Sequence, residues 1–315
     1  MIARDPAALV TAALRGERRA IGQLITGFED PRTEAAAWRR RAWTTLDEAS
    51  AATGRVVGIT GAPGAGKSTL VGALARAIVT ADRTTRVAVL AIDPSSPLSG
   101  GALLGDRVRI GRSERPDEDV DDTRIYVRSQ PSAAEPGGLG RGTYQAARVL
   151  ARLVPTLLIE TVGVGQGELD IAALADRTYL VVTPHAGDEL QFMKAGIMEI
   201  PDAFVVHKAD LGDAVDHTVA ALTSTLRLGR IDRAPRPVHR TSARTGVGVA
   251  ALATELIATP AGGLDARAPR FFERWVARAQ GQAGLRRLAT LAPSTAAYLA
   301  THGGFDGAVL AFALA

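Results

Sequence analysis

The 315-residue chain changes its hydrophobic period twice. In "ALVTAALRGERRAIGQLITGFED" and "PRTEAAAWRRRAWTTLDEA", apolar residues recur three to four positions apart with Arg and Glu between them. That is the spacing of one buried helix face, so helices are predicted over residues 1–50. From about residue 54 short β-rich runs take over: "RVVGIT", "RVAVLAID", "TRIYVR", "PTLLIE", "RTYLVVT", "DAFVVH" and "RPVHRTS". Most are separated by helical stretches, the alternation of a mostly parallel sheet covered by helices on both faces. "VDDTRIYVR" instead follows the acidic run "DEDVDD", which reads as a solvated loop rather than a cation site. From roughly residue 265 the helical period returns in "RAPRFFERWVARAQGQAGLRRLATLA", followed by a Gly- and Ala-rich tail. No internal repeat is present. The expected architecture is α/β: an N-terminal helical extension over 1–50, a sheet domain over 51–262 and a C-terminal helical arm over 263–315.

Composition narrows the class. With 46% hydrophobic residues the chain can bury a large core. No run of 18 apolar residues occurs, and the most apolar region, at the C-terminus, is broken by His302, Gly303, Gly304 and Asp306. "MIARDPAALV" carries an acid and a proline where a signal peptide is apolar. There is no cysteine, which excludes disulfides, thiolate nucleophiles and cysteine-ligated metals. A soluble cytoplasmic protein without membrane contact is expected. Net charge is +4, but the arginines are scattered with no aromatic-interleaved stripe, so no nucleic-acid partner is expected. The chain has three lysines against 34 arginines. Lys67, Lys194 and Lys208 all fall in segments that look chemical on other grounds, where a compact ammonium is not replaced by a guanidinium fork.

"GAPGAGKS", residues 61–68, matches G-x-x-x-x-G-K-[ST] after a buried strand and before the helical "STLVGALARAIVT". Gly61, Ala62, Pro63, Gly64, Ala65 and Gly66 form a loop whose glycines permit tight curvature, so successive N–H groups through Thr69 converge on one concavity. The following helix N-terminus adds roughly half a positive charge. Such a cradle suits a polyphosphate, with Lys67 reaching the β- and γ-phosphates and the Ser68 hydroxyl available to Mg²⁺.

"VVHKADL" places Lys208 and Asp210 as in the N/T-K-x-D element that reads guanine. An Asp carboxylate accepts from guanine N1–H and the N2 amine; adenine offers neither, and a site of this type discriminates by about 10⁴-fold. "RTSARTG" resembles the second guanine loop, with Ser242, Ala243 and Arg244, the Ala243 N–H donating to O6. Together, behind a P-loop, they favour GTP and GDP over ATP. Position 207 departs from the usual Asn. A neutral His207 either donates one hydrogen bond toward the purine edge or P-loop backbone, or merely packs, and weakened nucleotide affinity is expected.

Asp93 closes the strand "VAVLAID", Asp106 follows in "LLGDRVRI", and Glu160 ends "TLLIE", followed by Thr161, Val162 and Gly163. All three emerge at the C-terminal edge of the sheet, where open α/β proteins bind ligands. With Ser68 they form the candidate Mg²⁺ set, and Lys67, Asp106 and Glu160 the candidate catalytic set; some act through water, because Mg²⁺ keeps several. No aromatic or Gln is placed to orient the hydrolytic water, so intrinsic hydrolysis should be slow.

"LAIDPSSPLSGGALLGDRVRI", "ETVGVGQGELDIAALAD" and "GDELQFMKAGIMEIPDAFVVHKADL" resemble the methylmalonyl-CoA mutase-associated GTPases of the MeaB/ArgK/MMAA type. With "GERRAIGQLIT", the similarity covers about residues 15–260. The resemblance implies a P-loop NTPase of the SIMIBI class, which includes signal-recognition and metal-insertion GTPases. It also implies a G-protein chaperone that gates cofactor loading and protects an adenosylcobalamin-dependent acyl-CoA mutase. By the same likeness Lys67, Ser68, Asp93, Asp106 and Glu160 serve phosphate and Mg²⁺. Gly163 and Gln166, with Asp188, Glu189, Gln191 and Lys194, would be switch segments addressing the mutase, and the C-terminal arm a homodimer contact. The sequence departs from the family in Pro184, His185 and Ala186, where a glycine-rich loop is usual, in His207, and in a short arm ending in an apolar tail. The alternatives are a metal-insertion GTPase, which usually brings Cys and His ligands, and a small-molecule kinase, which needs an acceptor lid and a base; the sequence has no Cys, no clustered His spacing and no clear signal for a lid or base.

Overall fold

A computed structural model of the chain describes residues 5–30, 32–50, 53–93, 122–131, 139–161, 167–184, 198, 200–228 and 236–314. The chain divides into two units, residues 1–261 and 262–315.

The first unit is built on a seven-stranded sheet. Its strands are β1 (Arg55–Gly61), β2 (Val87–Asp93), β3 (Ile125–Pro131), β4 (Thr156–Glu160), β5 (Arg177–Val182), β6 (Ala203–His207) and β7 (Val238–Thr241). They lie in the order β3-β2-β4-β1-β5-β6-β7, and every pairing is parallel. All seven β-rich runs of the sequence are strands. Among the described residues the α-helices are α1 (Pro6–Leu14), α2 (Arg18–Glu29), α3 (Ala36–Ala49), α4 (Lys67–Ala81), α5 (Arg141–Leu153), α6 (Gly167–Leu174), α7 (Asp213–Leu228) and α8 (Val249–Ala258).

Strand residues alternate between two cores. Val57, Ile59, Val89, Leu158, Tyr179, Val181 and Val205 pack with Leu70, Leu74 and Ile78 of α4 and with Leu252 and Leu256 of α8. Leu180, Val182, Phe204 and Val206 face the other way, onto Val215, Leu222 and Leu226 of α7. On that second face α6 lies so close to β1 that a Cβ at Gly58 would sit 2.6 Å from Ile171 Cγ1. Buried on both faces, the central strands β1, β4, β5 and β6 show near-continuous apolar runs, whereas the edge strands β3 and β7 are largely half-buried.

The helical stretch of residues 8–30 is divided between two helices, α1 and α2. Gly16 adopts φ +89° and the chain turns there, α1 being capped by Asp5, whose carboxylate accepts from Ala8 N at 3.2 Å. The α3 side chain Trp43 lies under the Arg148 guanidinium of α5, 3.4 Å from ring centroid to Cζ. These helices belong to the same unit as the sheet.

The second unit holds α9 (Leu264–Leu291), α10 (Thr295–Thr301) and α11 (Phe305–Leu314). Backbone at Gly281, with φ +60°, kinks α9. The tail that reads as Gly- and Ala-rich is therefore helical. Phe271, Phe272, Trp275, Tyr298, Phe305 and Phe312 make edge-on and tilted ring contacts that form its core. Among the described residues no helix is long and apolar enough to cross a membrane.

Candidate functional site

Sheet register places the candidate residues. Ile59 of β1 and Ala91 of β2 both pair with Glu160, so the last residue of β4 sits between the strand that enters the P-loop and the strand that ends in Asp93. The loop after β1 needs its glycines: Gly61, Gly64 and Gly66 have φ of +144°, +79° and +88°. A Cβ at Gly61 would meet Val181 O at 2.1 Å, and one at Gly66 would meet His207 Cδ2 at 2.7 Å. Helix α4 starts at Lys67 from the left-handed Gly66 with no side-chain cap, so the positive end of the helix dipole lies at the end of the loop.

Lys67 is buried, and its Nζ donates to Gly61 O at 2.8 Å and Ala62 O at 3.0 Å. It thus lies folded along the loop. Ser68 Oγ donates to Glu160 Oε1 at 2.6 Å, and Glu160 is only 4% exposed. Next to them Thr161 Oγ1 donates to Thr60 Oγ1 at 2.8 Å, and Thr161 N donates to Ile59 O. A hydroxyl and a carboxylate oxygen held together at the phosphate loop form a hard-oxygen pair of the type Mg²⁺ accepts. Asp93 ends β2, but its side chain lies outside the described residues, as do Asp106, Gly163, Gln166, Asp188, Glu189, Gln191 and Lys194. So do two of the departures from the family pattern, His185 and Ala186.

A cavity of about 180 Å³ opens beside the P-loop, lined by Gly66, Thr69, His207, Lys208, Asp210, Leu211, Ser242, Ala243 and Arg244. The two separate sequence elements read as guanine loops therefore converge here. Lys208, with φ +59°, is the one described non-glycine residue at positive φ, and its Nζ donates to Gly64 O at 3.1 Å, tying the β6 turn to the P-loop. Asp210 accepts from Ser242 Oγ on Oδ1 and from Arg244 Nε on Oδ2 at 2.9 Å. The Ser242 hydroxyl first, and Arg244 after it, hold the Asp210 carboxyl below the usual carboxylate range.

His207 is buried at 3% exposure, with Nδ1 2.9 Å from Thr241 Oγ1 and its ring edge against Gly66. Burial, and secondarily the Lys208 charge, push its pKa down to about 4, so the ring is neutral at physiological pH. The imidazole bridges β7 and the P-loop and lies in the cavity wall. Thr241 and Leu211 were not singled out in the sequence. Thr241 stands directly before "SARTG", and its partnership with position 207 is visible only once β6 and β7 are paired at His207 and Thr241.

Residues 21–267 match the family model described as methylmalonyl Co-A mutase-associated GTPase MeaB. The chain belongs to this family. A Pyrococcus horikoshii protein named as a GTPase is 40% identical over 248 residues, spanning 76% of this chain and 73% of its own length. The mouse protein named methylmalonic aciduria type A homolog, mitochondrial, is 36% identical over 258 residues, spanning 76% of this chain and 60% of its own. Among solved structures, one described as LAO/AO transport system kinase aligns over 90% of this chain and 86% of its own, with a TM-score of 0.58 at 24% identity. That likeness is one of fold. This member of the MeaB family is accordingly a P-loop GTPase, binding guanine nucleotide and hydrolysing GTP.

Proposed function

We propose that the chain is a G-protein chaperone of an adenosylcobalamin-dependent acyl-CoA mutase, gating cofactor loading and protecting the mutase from inactivation. The family match over residues 21–267 carries this reading, since that family is named for its association with methylmalonyl-CoA mutase. The name of the mouse relative points to the same metabolism.

In this reading the amides from Gly64 to Thr69 grip the β- and γ-phosphates, and Lys67 leaves Gly61 O and Ala62 O to meet them. Asp210 accepts from guanine N1–H and N2, and the Ala243 N–H donates to O6. Ser68 and Glu160, with Asp93 and Asp106, would hold Mg²⁺. The bound ion would supply charge neutralisation between the phosphates. Ser68 and Glu160 are poised for this role because their hydrogen bond already fixes both oxygens at the loop. The γ-phosphate and Mg²⁺ would hold the segments near Asp93, Glu160 and Asp188 in one arrangement and hydrolysis would release them, with Gly163, Gln166, Asp188, Glu189, Gln191 and Lys194 addressing the mutase. A partner that prefers one arrangement tenfold needs about 1.4 kcal/mol of differential contact. Intrinsic hydrolysis is slow and the mutase accelerates it, while the C-terminal arm pairs two copies. The protein works in the cytoplasm.

GTP hydrolysis by the full chain, measured with and without apo-mutase from the same organism, tests the proposal. Acceleration by the mutase is expected. An unchanged rate with every cobalamin-dependent mutase of that organism contradicts it.

A further inference from the structure

Arg244 is the most exposed ionic member of the base cavity, and it is aimed at the acid that reads the base. Its side chain is 64% exposed, yet Nε lies 2.9 Å and Nη2 2.7 Å from Asp210 Oδ2. The two donors share one edge of the guanidinium. Guanine presents the same chemical grouping to a carboxylate: N1–H and an exocyclic N2–H joined through one carbon. The base thus contains, on the edge that Asp210 reads, the substructure that Arg244 already offers.

We propose that Arg244 is an internal surrogate for guanine, which occupies Asp210 in the nucleotide-free protein and leaves it as the base enters, setting how fast guanine nucleotides bind. The inference rests on the guanine reading of Asp210 given above. Two neighbours decide which donor yields. Ser242 is fully buried and its hydroxyl is fixed on Oδ1, so that bond stays and keeps the carboxylate oriented. Lys208 is engaged on Gly64 O of the P-loop. Arg244 is the exposed arm and the one free to swing outward. The latch keeps a half-buried carboxylate satisfied while the cavity is empty, avoiding the cost of an unpaired charge. It is also weak enough to displace, because an exposed ion pair shifts an equilibrium by about two- to fivefold.

Stopped-flow binding of N-methylanthraniloyl-GDP to the nucleotide-free full chain with Mg²⁺ tests this in Arg244→Ala and Arg244→Lys. Lys keeps the positive charge that attracts phosphates but lacks the paired donors. Both variants should associate about two- to fivefold faster with unchanged dissociation. Unchanged association, or faster dissociation at unchanged association, overturns the latch and makes Arg244 a bystander or a clasp on bound base. A parallel Asp210→Asn variant titrated with GDP and xanthosine diphosphate separates the two claims. If it keeps GDP and gains nothing from xanthosine, the guanine reading itself fails. If it switches base while neither Arg244 variant associates faster, the latch alone fails.

Discussion

Ser68 Oγ donates to Glu160 Oε1 across 2.6 Å, joining the second residue of α4 to the last residue of β4. The bond spans two elements that the sheet register brings together, and it holds a buried carboxylate at the end of the phosphate loop. Replacing Ser68 with Ala withdraws a donor from Glu160 in a dry setting. The nucleotide-free protein should lose about 1–3 kcal/mol of stability. The gain in GDP affinity on adding Mg²⁺ should fall at the same time, because the same hydroxyl is the proposed ion ligand. Ser68→Thr, which keeps the hydroxyl, should largely retain both. Denaturant unfolding and calorimetry with and without Mg²⁺ read the two effects; a Ser68→Ala protein with wild-type Mg²⁺ dependence would remove Ser68 from the ion site.

Two glycines of the P-loop should respond differently to a methyl group. Gly64 and Gly66 share positive φ, so Ala at either is strained by about 1–2 kcal/mol. At Gly64 no atom lies within 4 Å of the new Cβ, whereas at Gly66 it would meet the buried His207 ring. Gly66→Ala should therefore destabilise the protein more than Gly64→Ala, and a Gly66→Ala, His207→Ala double variant should recover part of the difference. Melting temperatures of the four proteins decide this. Equal costs at the two glycines would mean that the His207 contact is loose.

His207 should also make the protein acid-sensitive over a defined window. Its folded pKa lies at about 4, below the ordinary value of 6.5. Between those values the unfolded chain takes up a proton that the folded chain refuses, so stability falls as pH drops through the window and levels off below about 4. At 1.36 kcal/mol per unit the full loss is on the order of 3 kcal/mol. A His207→Asn variant should lose this part of the slope, by about one proton, in unfolding free energies measured from pH 7 to 4. A wild-type slope in that variant would place the acid sensitivity elsewhere. The same variant restores the amide usual at this position, and its GDP affinity should rise.

The central strands were legible because they are buried on both faces and so read as apolar runs; Thr156–Glu160 and Ala203–His207 need no tertiary information to recognise. The break at Gly16 was harder. Helical periodicity continues on either side of it, and α1 and α2 are separated only by a short turn with left-handed Gly16 and extended Glu17. The P-loop and the pair Lys208 and Asp210 were legible because their chemistry demands particular residue types at fixed spacing. The partnerships were not. That Ser68 holds Glu160, 92 positions away, that His207 meets Thr241, and that Arg244 lies on Asp210 all depend on strand order, which no local pattern states.

Titrating the full chain calorimetrically with GDP, ADP and xanthosine diphosphate in the presence of Mg²⁺, for the native protein and for Asp210→Asn, tests the base reading at its root. The native protein should bind GDP and discriminate against ADP by about 10⁴-fold. The variant, whose amide donates where the carboxylate accepted, should lose GDP and gain xanthosine diphosphate. GDP binding that survives Asp210→Asn unchanged, or a native protein that prefers ADP, would contradict the account.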